Sequence, residues 1–123
     1  MRDLPFPGSY AKFSGQQTHD IALIRASTEL FALEASHEAD EIRRFEELAT
    51  HLLPRVPRPV RAGVAEPLAA RDDAPSSVMR MLARDGIEVA APVLRSSPVL
   101  QPLDLLAVIA ATGTEHHRII AGR

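Results

Sequence analysis

Few side chains in this sequence are placed to do chemistry. Glu115, His116 and His117 are the densest group of metal-type ligands. Adjacent residues on a helix point about 100° apart, so two neighbouring imidazoles do not share one ion without ligands from elsewhere. The expectation is two surface histidines near a helix start, and no metal site. His37 has Asp40 and Glu41 at i+3 and i+4. That spacing makes a surface pair or a weak metal site, and surface pairing is the commoner use. None of the eight serines sits in a nucleophile-elbow pattern, and no glycine-rich loop is present to cradle a phosphate. Cysteine is absent, which removes disulfides, thiolate metal sites and a thiol nucleophile together. No catalytic residue, cofactor or metal is therefore expected, and the chain reads as a non-enzyme. A buried or carboxylate-paired histidine in a cleft, at His37 or His116, would revive an enzymatic reading.

Ser36-His37-Glu38 has the outline of a phospho-accepting histidine box, but Ala39, Asp40 and Glu41 follow where proline and threonine belong. Charge is more informative. Seven acids lie between Thr28 and Glu47 against Arg43 and Arg44. Six arginines lie between Pro54 and Arg84, at 55, 58, 61, 71, 80 and 84, against Glu66, Asp72 and Asp73. Arg55, Arg58 and Arg61, on a proline-stiffened stretch, are candidate contacts for phosphate or a protein partner. Net charge is −2 and no aromatic residue stands among these arginines to stack a base, so nucleic acid is an unlikely partner. Thirteen of the fourteen basic residues are Arg, which GC-rich coding explains as well as any function does.

The elements that position these residues read as helices. Hydrophobic residues make up 46% of the 123-residue chain and aromatics 4%, enough for one domain whose core is built from aliphatic side chains. Residues 1–17 form a polar arm without periodicity that nevertheless holds Phe6, Tyr10 and Phe13. Thr18 is an expected N-cap for a helix with Ile21, Ile24, Phe31 and Ala35 on one stripe and Leu23, Leu30 and Leu33 beside it. So broad an apolar surface predicts contact on more than one side. Ser36 is the expected cap of a second helix bearing Ile42, Phe45, Ala49 and Leu52. The prolines of PRVPRP (54–59) end it, and Pro59 opens a third helix with Val60, Val64 and Leu68 inward and a kink at Pro67.

Residues 74–96 read as a central helical hairpin. Val78, Met81 and Leu82 face inward on its first helix, Asp85-Gly86 make the turn, and Ile87, Ala90 and Leu94 face inward on its second. Leu105, Leu106 and Ile109 are the expected face of the next helix. Thr114 caps a short last helix with Ile119 and Ile120.

A degenerate echo links Val64-Ala65-Glu66-Pro67, Val89-Ala90-Ala91-Pro92 and Ile120-Ala121-Gly122-Arg123, each after another apolar helix, as in stacked helical hairpins. FEELATHLLPRV (45–56), VRAGVAEPLA (60–69), LARD (82–85), VAAPVL (89–94), DLL (104–106) and IIAGR (119–123) carry a family resemblance. From Phe45 to Arg123 the chain resembles bacterial domain-of-unknown-function proteins built from HEAT-like repeats. That resemblance implies an all-α fold, a short HEAT-like α-solenoid over residues 18–123, and no known activity. Family members look longer, so the chain is expected to be a fragment or a short member. The functional expectation is a protein-interaction or scaffold module, with a nucleic-acid-binding face as the alternative. Phe6, Tyr10, Phe13, Ile119 and Ile120 are candidates for self-association as a homodimer. No membrane span and a cytoplasmic location are expected.

Overall fold

A computed structural model describes residues 15–123; the aromatic residues Phe6, Tyr10 and Phe13 lie outside them. The described residues form seven α-helices and one short 3-10 turn, with no strand. In chain order the helices are α1 (Gly15–Leu33), α2 (Ala39–Leu52), α3 (Arg58–Leu68), α4 (Ser76–Ala83), α5 (Ile87–Ser96), α6 (Pro102–Ala111) and α7 (Thr114–Ala121). The 3-10 turn, Leu53–Arg55, follows α2 directly. The fold is all-α, as the helical periodicity predicts.

The odd-numbered helices make a row: α1 packs on α3, α3 on α5, and α5 on α7. Helices α2 and α4 also pack on one another, and every even-numbered helix packs on an odd-numbered neighbour. Helix α5 is the best enclosed, with α3, α4 and α7 all against it. Val89, Ala90, Val93 and Leu94 of α5 are accordingly inaccessible to solvent, as are Val78, Met79, Leu82 and Ala83 of α4.

Helix ends depart from the expected caps. Helix α1 already includes Gly15, so Thr18 lies inside it, and the expected boundary between 17 and 18 falls within a helix. Helix α2 starts after Glu38 instead of Ser36, because the Glu41 carboxylate accepts the Glu38 N–H at 3.0 Å and closes the first turn. The Asp104 carboxylate does the same for the Gln101 N–H at 2.8 Å, opening α6. Pro75 is the N-cap of α4, and Gly113 precedes α7 where Thr114 was expected to.

The inward faces hold, with shifts. In α4 the buried stripe is Val78, Met79, Leu82 and Ala83, and Met81 is only half-buried. In α6 the expected face is wrong: Leu106 is 60% exposed and Ile109 is exposed, while Val108 is buried and Leu105 half-buried. The reason is that α6 packs mainly on α7. An apolar helix with one main neighbour cannot bury all its leucines, and periodicity does not say which stripe wins.

The Asp85-Gly86 turn ties three odd-numbered elements together. Arg61 of α3 donates to both Asp85 carboxylate oxygens, at 2.6 and 3.1 Å, and to the Val56 carbonyl at 2.7 Å. From α7, His116 Nε2 meets the Asp85 carbonyl at 2.8 Å. A carbonyl only accepts, so Nε2 carries the proton. His116 is thus a buried structural residue, which corrects its expected place on the surface. Burial pushes the Asp85 carboxyl up, but the hydrogen bonds from Arg61 and from the Gly86 N–H outweigh it and hold the group below its ordinary range.

Candidate functional site

A pocket of about 400 Å³ opens between the end of α1 and the start of α2. Leu30, Phe31, Phe45 and Leu48 give its apolar lining, and Glu34, His37, Glu41 and Arg44 its polar one. Each part has a local cause. Phe31 and Phe45 are the core-facing aromatics of two helices that pack side by side, and their rings stack 4.5 Å apart at 18°. His37 lies in the connection between those helices, and its ring stacks on the far side of the pair, 3.9 Å from Phe31 and nearly parallel to it. The Arg71 guanidinium sits 5.3 Å from the Phe31 ring centre, close enough for a cation–π attraction.

Behind the pocket His37 meets a carboxylate from elsewhere in the chain. Its Nδ1 lies 2.7 Å from Asp73 Oδ2, with the imidazole 5% and the carboxylate 12% exposed. Arg71 completes the group, donating from Nε to Asp73 Oδ1 at 2.8 Å and from NH2 to Oδ2 at 3.0 Å. Its NH2 also donates to the Glu34 carbonyl at 2.6 Å, which pins the end of α1. Hydrogen bonds from Arg71, and then from His37, keep the Asp73 carboxyl below its ordinary range although burial pushes the other way. An ionised Asp73 can only accept, so His37 Nδ1 donates. His37 Nε2 then has no hydrogen-bond partner among the described residues, on a ring that lines the pocket.

The sequence pointed to His37 but gave it the wrong partner. Asp40 pairs with Arg43 and Arg44, and Glu41 closes the helix start. Asp73 and Arg71 were not singled out as site residues, and no spacing could have done so at 36 and 34 positions away.

The three candidate contact arginines do not converge on a free face. Arg55 pairs with the buried Asp20 at 3.1 Å, Arg61 with Asp85, and Arg58 with Glu88 at 3.7 Å. Each already has a carboxylate of this chain beside it. Burial pushes the Asp20 carboxyl up, yet hydrogen bonds from Gln16 and Arg55 leave it lowered. His116 and His117 are likewise engaged within the chain. His117 Nε2 bonds the Ile109 carbonyl at 3.0 Å, so each of the two histidines has its Nε2 at a backbone oxygen. No cluster of three metal-type ligands occurs among the described residues. Ile119 and Ile120 are half-buried against the core.

What lies open is apolar. On α1, Leu23, Leu30 and Leu33 are 36%, 66% and 78% exposed, while Ile24 and Phe31 on the opposite side are buried. Thr28 shares that buried side because its hydroxyl donates to the Ile24 carbonyl at 2.8 Å. Leu23, Ala26, Leu30 and Leu33 fall within an arc of about 80° on a helix of 3.6 residues per turn. The breadth of α1 therefore resolves into a core stripe and a second stripe without cover among the described residues. That second stripe runs into the pocket at Leu30.

The chain matches no family model, no curated protein and no solved structure. Its site stands on its own geometry. No helix among the described residues is long and apolar enough to cross a membrane.

Proposed function

We propose that this protein is a non-enzymatic interaction module, a short HEAT-like stack of helical hairpins that grips a partner protein along α1 and the adjoining pocket. One observation carries the reading: the second stripe of α1 presents three leucines to solvent and ends in an open apolar pocket. Isolated exposed leucines are ordinary on protein surfaces, but a helical line of them beside a concave site is the form in which grooves receive helices. The row of odd-numbered helices supports the HEAT-like comparison, since repeat stacks also pack successive units only on their neighbours. The test is comparative capture from native lysate with the wild type and Leu30→Asp. A partner held by the wild type and lost with the variant, whose melting temperature stays within a degree or two, supports the reading. Equal retention by both would reject it.

A second reading has its own observation. A buried imidazole whose Nδ1 is held by a carboxylate, and whose Nε2 lines a pocket, has the arrangement of a general base. Ser27 also lines the pocket, but among the described residues no hydrogen bond joins it to the His37 ring. Hydrolysis of activated esters that disappears in His37→Ala would favour this alternative. Nucleic-acid binding has less support, because Arg55, Arg58 and Arg61 each stand against a carboxylate.

A further inference from the structure

We infer that the partner element received by α1 is an amphipathic helix with basic side chains flanking its apolar stripe. The inference rests on the interaction-module reading and adds the chemistry of the ligand. The exposed stripe follows heptad spacing, with Leu23 and Leu30 seven residues apart and Ala26 and Leu33 between and after them. The positions flanking such a stripe decide which partner is accepted. Here the charged flanks are Glu29 on one side and Glu34 on the other, both exposed and without an ion pair among the described residues. At the pocket end Glu41 adds a third carboxylate, engaged only by the Glu38 N–H.

The cations nearby do not cancel this field. Arg44 is shared with Asp40 at 3.2 Å, and Arg43 is held by Asp40 too. Arg71 is spent on Asp73. Among the described residues Arg25 is the remaining one, a turn before Glu29. Over residues 25–48 seven acids face three arginines. In the neutral form of His37, with Nδ1 donating to Asp73, Nε2 offers a lone pair to a donor such as a guanidinium.

The same charges argue against a second copy of this chain on the stripe. Two α1 helices packed in parallel would set Glu29 of one against Glu34 of the other. Packed antiparallel, they would set like against like at both positions. Each arrangement brings carboxylates together at the rim of an apolar seam, which costs affinity and steers copies apart. A basic helix gains at both flanks.

The test uses two fluorescent peptides of two heptads and a half, with leucine at both seam positions. One carries arginine at the flanking positions, the other glutamate. Their anisotropy is followed with the full chain at low and physiological salt. The arginine peptide is expected to bind about tenfold more tightly than the glutamate peptide. That preference should shrink with salt and fall several-fold in the double variant Glu29→Gln, Glu34→Gln. Leu30→Asp should abolish binding of both. If both peptides bind equally and Leu30→Asp abolishes both, the groove stands and the basic partner is wrong. If neither binds, the groove reading fails with it. A concentration-dependent dimer, broken by Leu30→Asp, would make a second copy the occupant and overturn the proposal. So would displacement of the arginine peptide by a free peptide of residues 1–14.

Discussion

At the scale of single residues, the charged side chains of this protein mostly serve its own architecture. Asp85 takes two hydrogen bonds from Arg61 while its carbonyl takes one from His116, so one turn residue joins α3 to α7. Replacing Arg61 with Ala would leave a largely desolvated carboxylate and the Val56 carbonyl short of donors, at about 1–3 kcal/mol of stability. Chemical denaturation read by circular dichroism checks this, and an unchanged midpoint would contradict it. The pH dependence has a definite sign. Asp20, Asp73 and Asp85 are all held below their ordinary value of 3.8 in the folded chain. Groups with depressed folded pKa values contribute stability that is complete above the unfolded value and lost as pH falls through the folded one. Stability should therefore be flat near neutrality and drop from about pH 4 downward. Asp85→Asn should flatten that drop, as melting temperatures between pH 2 and 7 would show. None of these pairs was legible in the sequence. Asp20 and Arg55 lie 35 positions apart, and His37 and Asp73 lie 36 apart. Local spacing reports only partners within a turn or two of helix. Hence His37 looked like a mate for Asp40 or Glu41.

At the scale of elements the sequence was much more readable, because a helix packed on a core imposes its period on the apolar residues. The faces of α2 and α3 came through, down to Phe45, Ala49, Leu52, Val60, Val64 and Leu68, and those of the central hairpin at Val78, Leu82, Ala90 and Leu94 but not at Met81 and Ile87. Leu82 is fully buried where α4 meets both α3 and α5, so Leu82→Ala should cost about 2–4 kcal/mol. The failures cluster at helix ends and at the last hairpin. Side-chain caps such as Glu41 and Asp104 compete with equally plausible serines and threonines nearby. Helix α6 reads as apolar nearly all round, which hides its orientation. Since Leu106 is exposed and Val108 buried, Leu106→Ala should move stability by no more than about 0.5 kcal/mol, while Val108→Ala should cost more. Thermal melts of the pair would decide it, and the reverse order would mean that α6 is rotated. The last helix is short but tethered. The Arg123 guanidinium donates to the Leu94 and Ser97 carbonyls at 2.6 and 2.9 Å, satisfying acceptors that the end of α5 leaves open. A propensity argument applied to eight residues could not see that support.

At the scale of the whole molecule, a row of odd-numbered helices carries the core, and among the described residues α1 stands at one end of it, packed on α2 and α3. An end helix of such a row is covered by α2 and α3 but has a further face to spare. That is where Leu23, Leu30 and Leu33 lie. The double apolar character of α1 was visible in the sequence. Which stripe stayed open, and that it runs into a pocket backed by a histidine–aspartate pair, required the packing. The central claim is that this stripe and pocket form the face that binds. Its most direct measurement is an amide 1H–15N titration of the full chain with the arginine-flanked helical peptide. The account predicts that the largest shifts map to residues 23–34 and 37–48, with the Leu30→Asp spectrum unmoved by the same peptide. Shifts centred instead on Arg55, Arg58 and Arg61, or on the exposed Leu103 and Leu106 of α6, would contradict it.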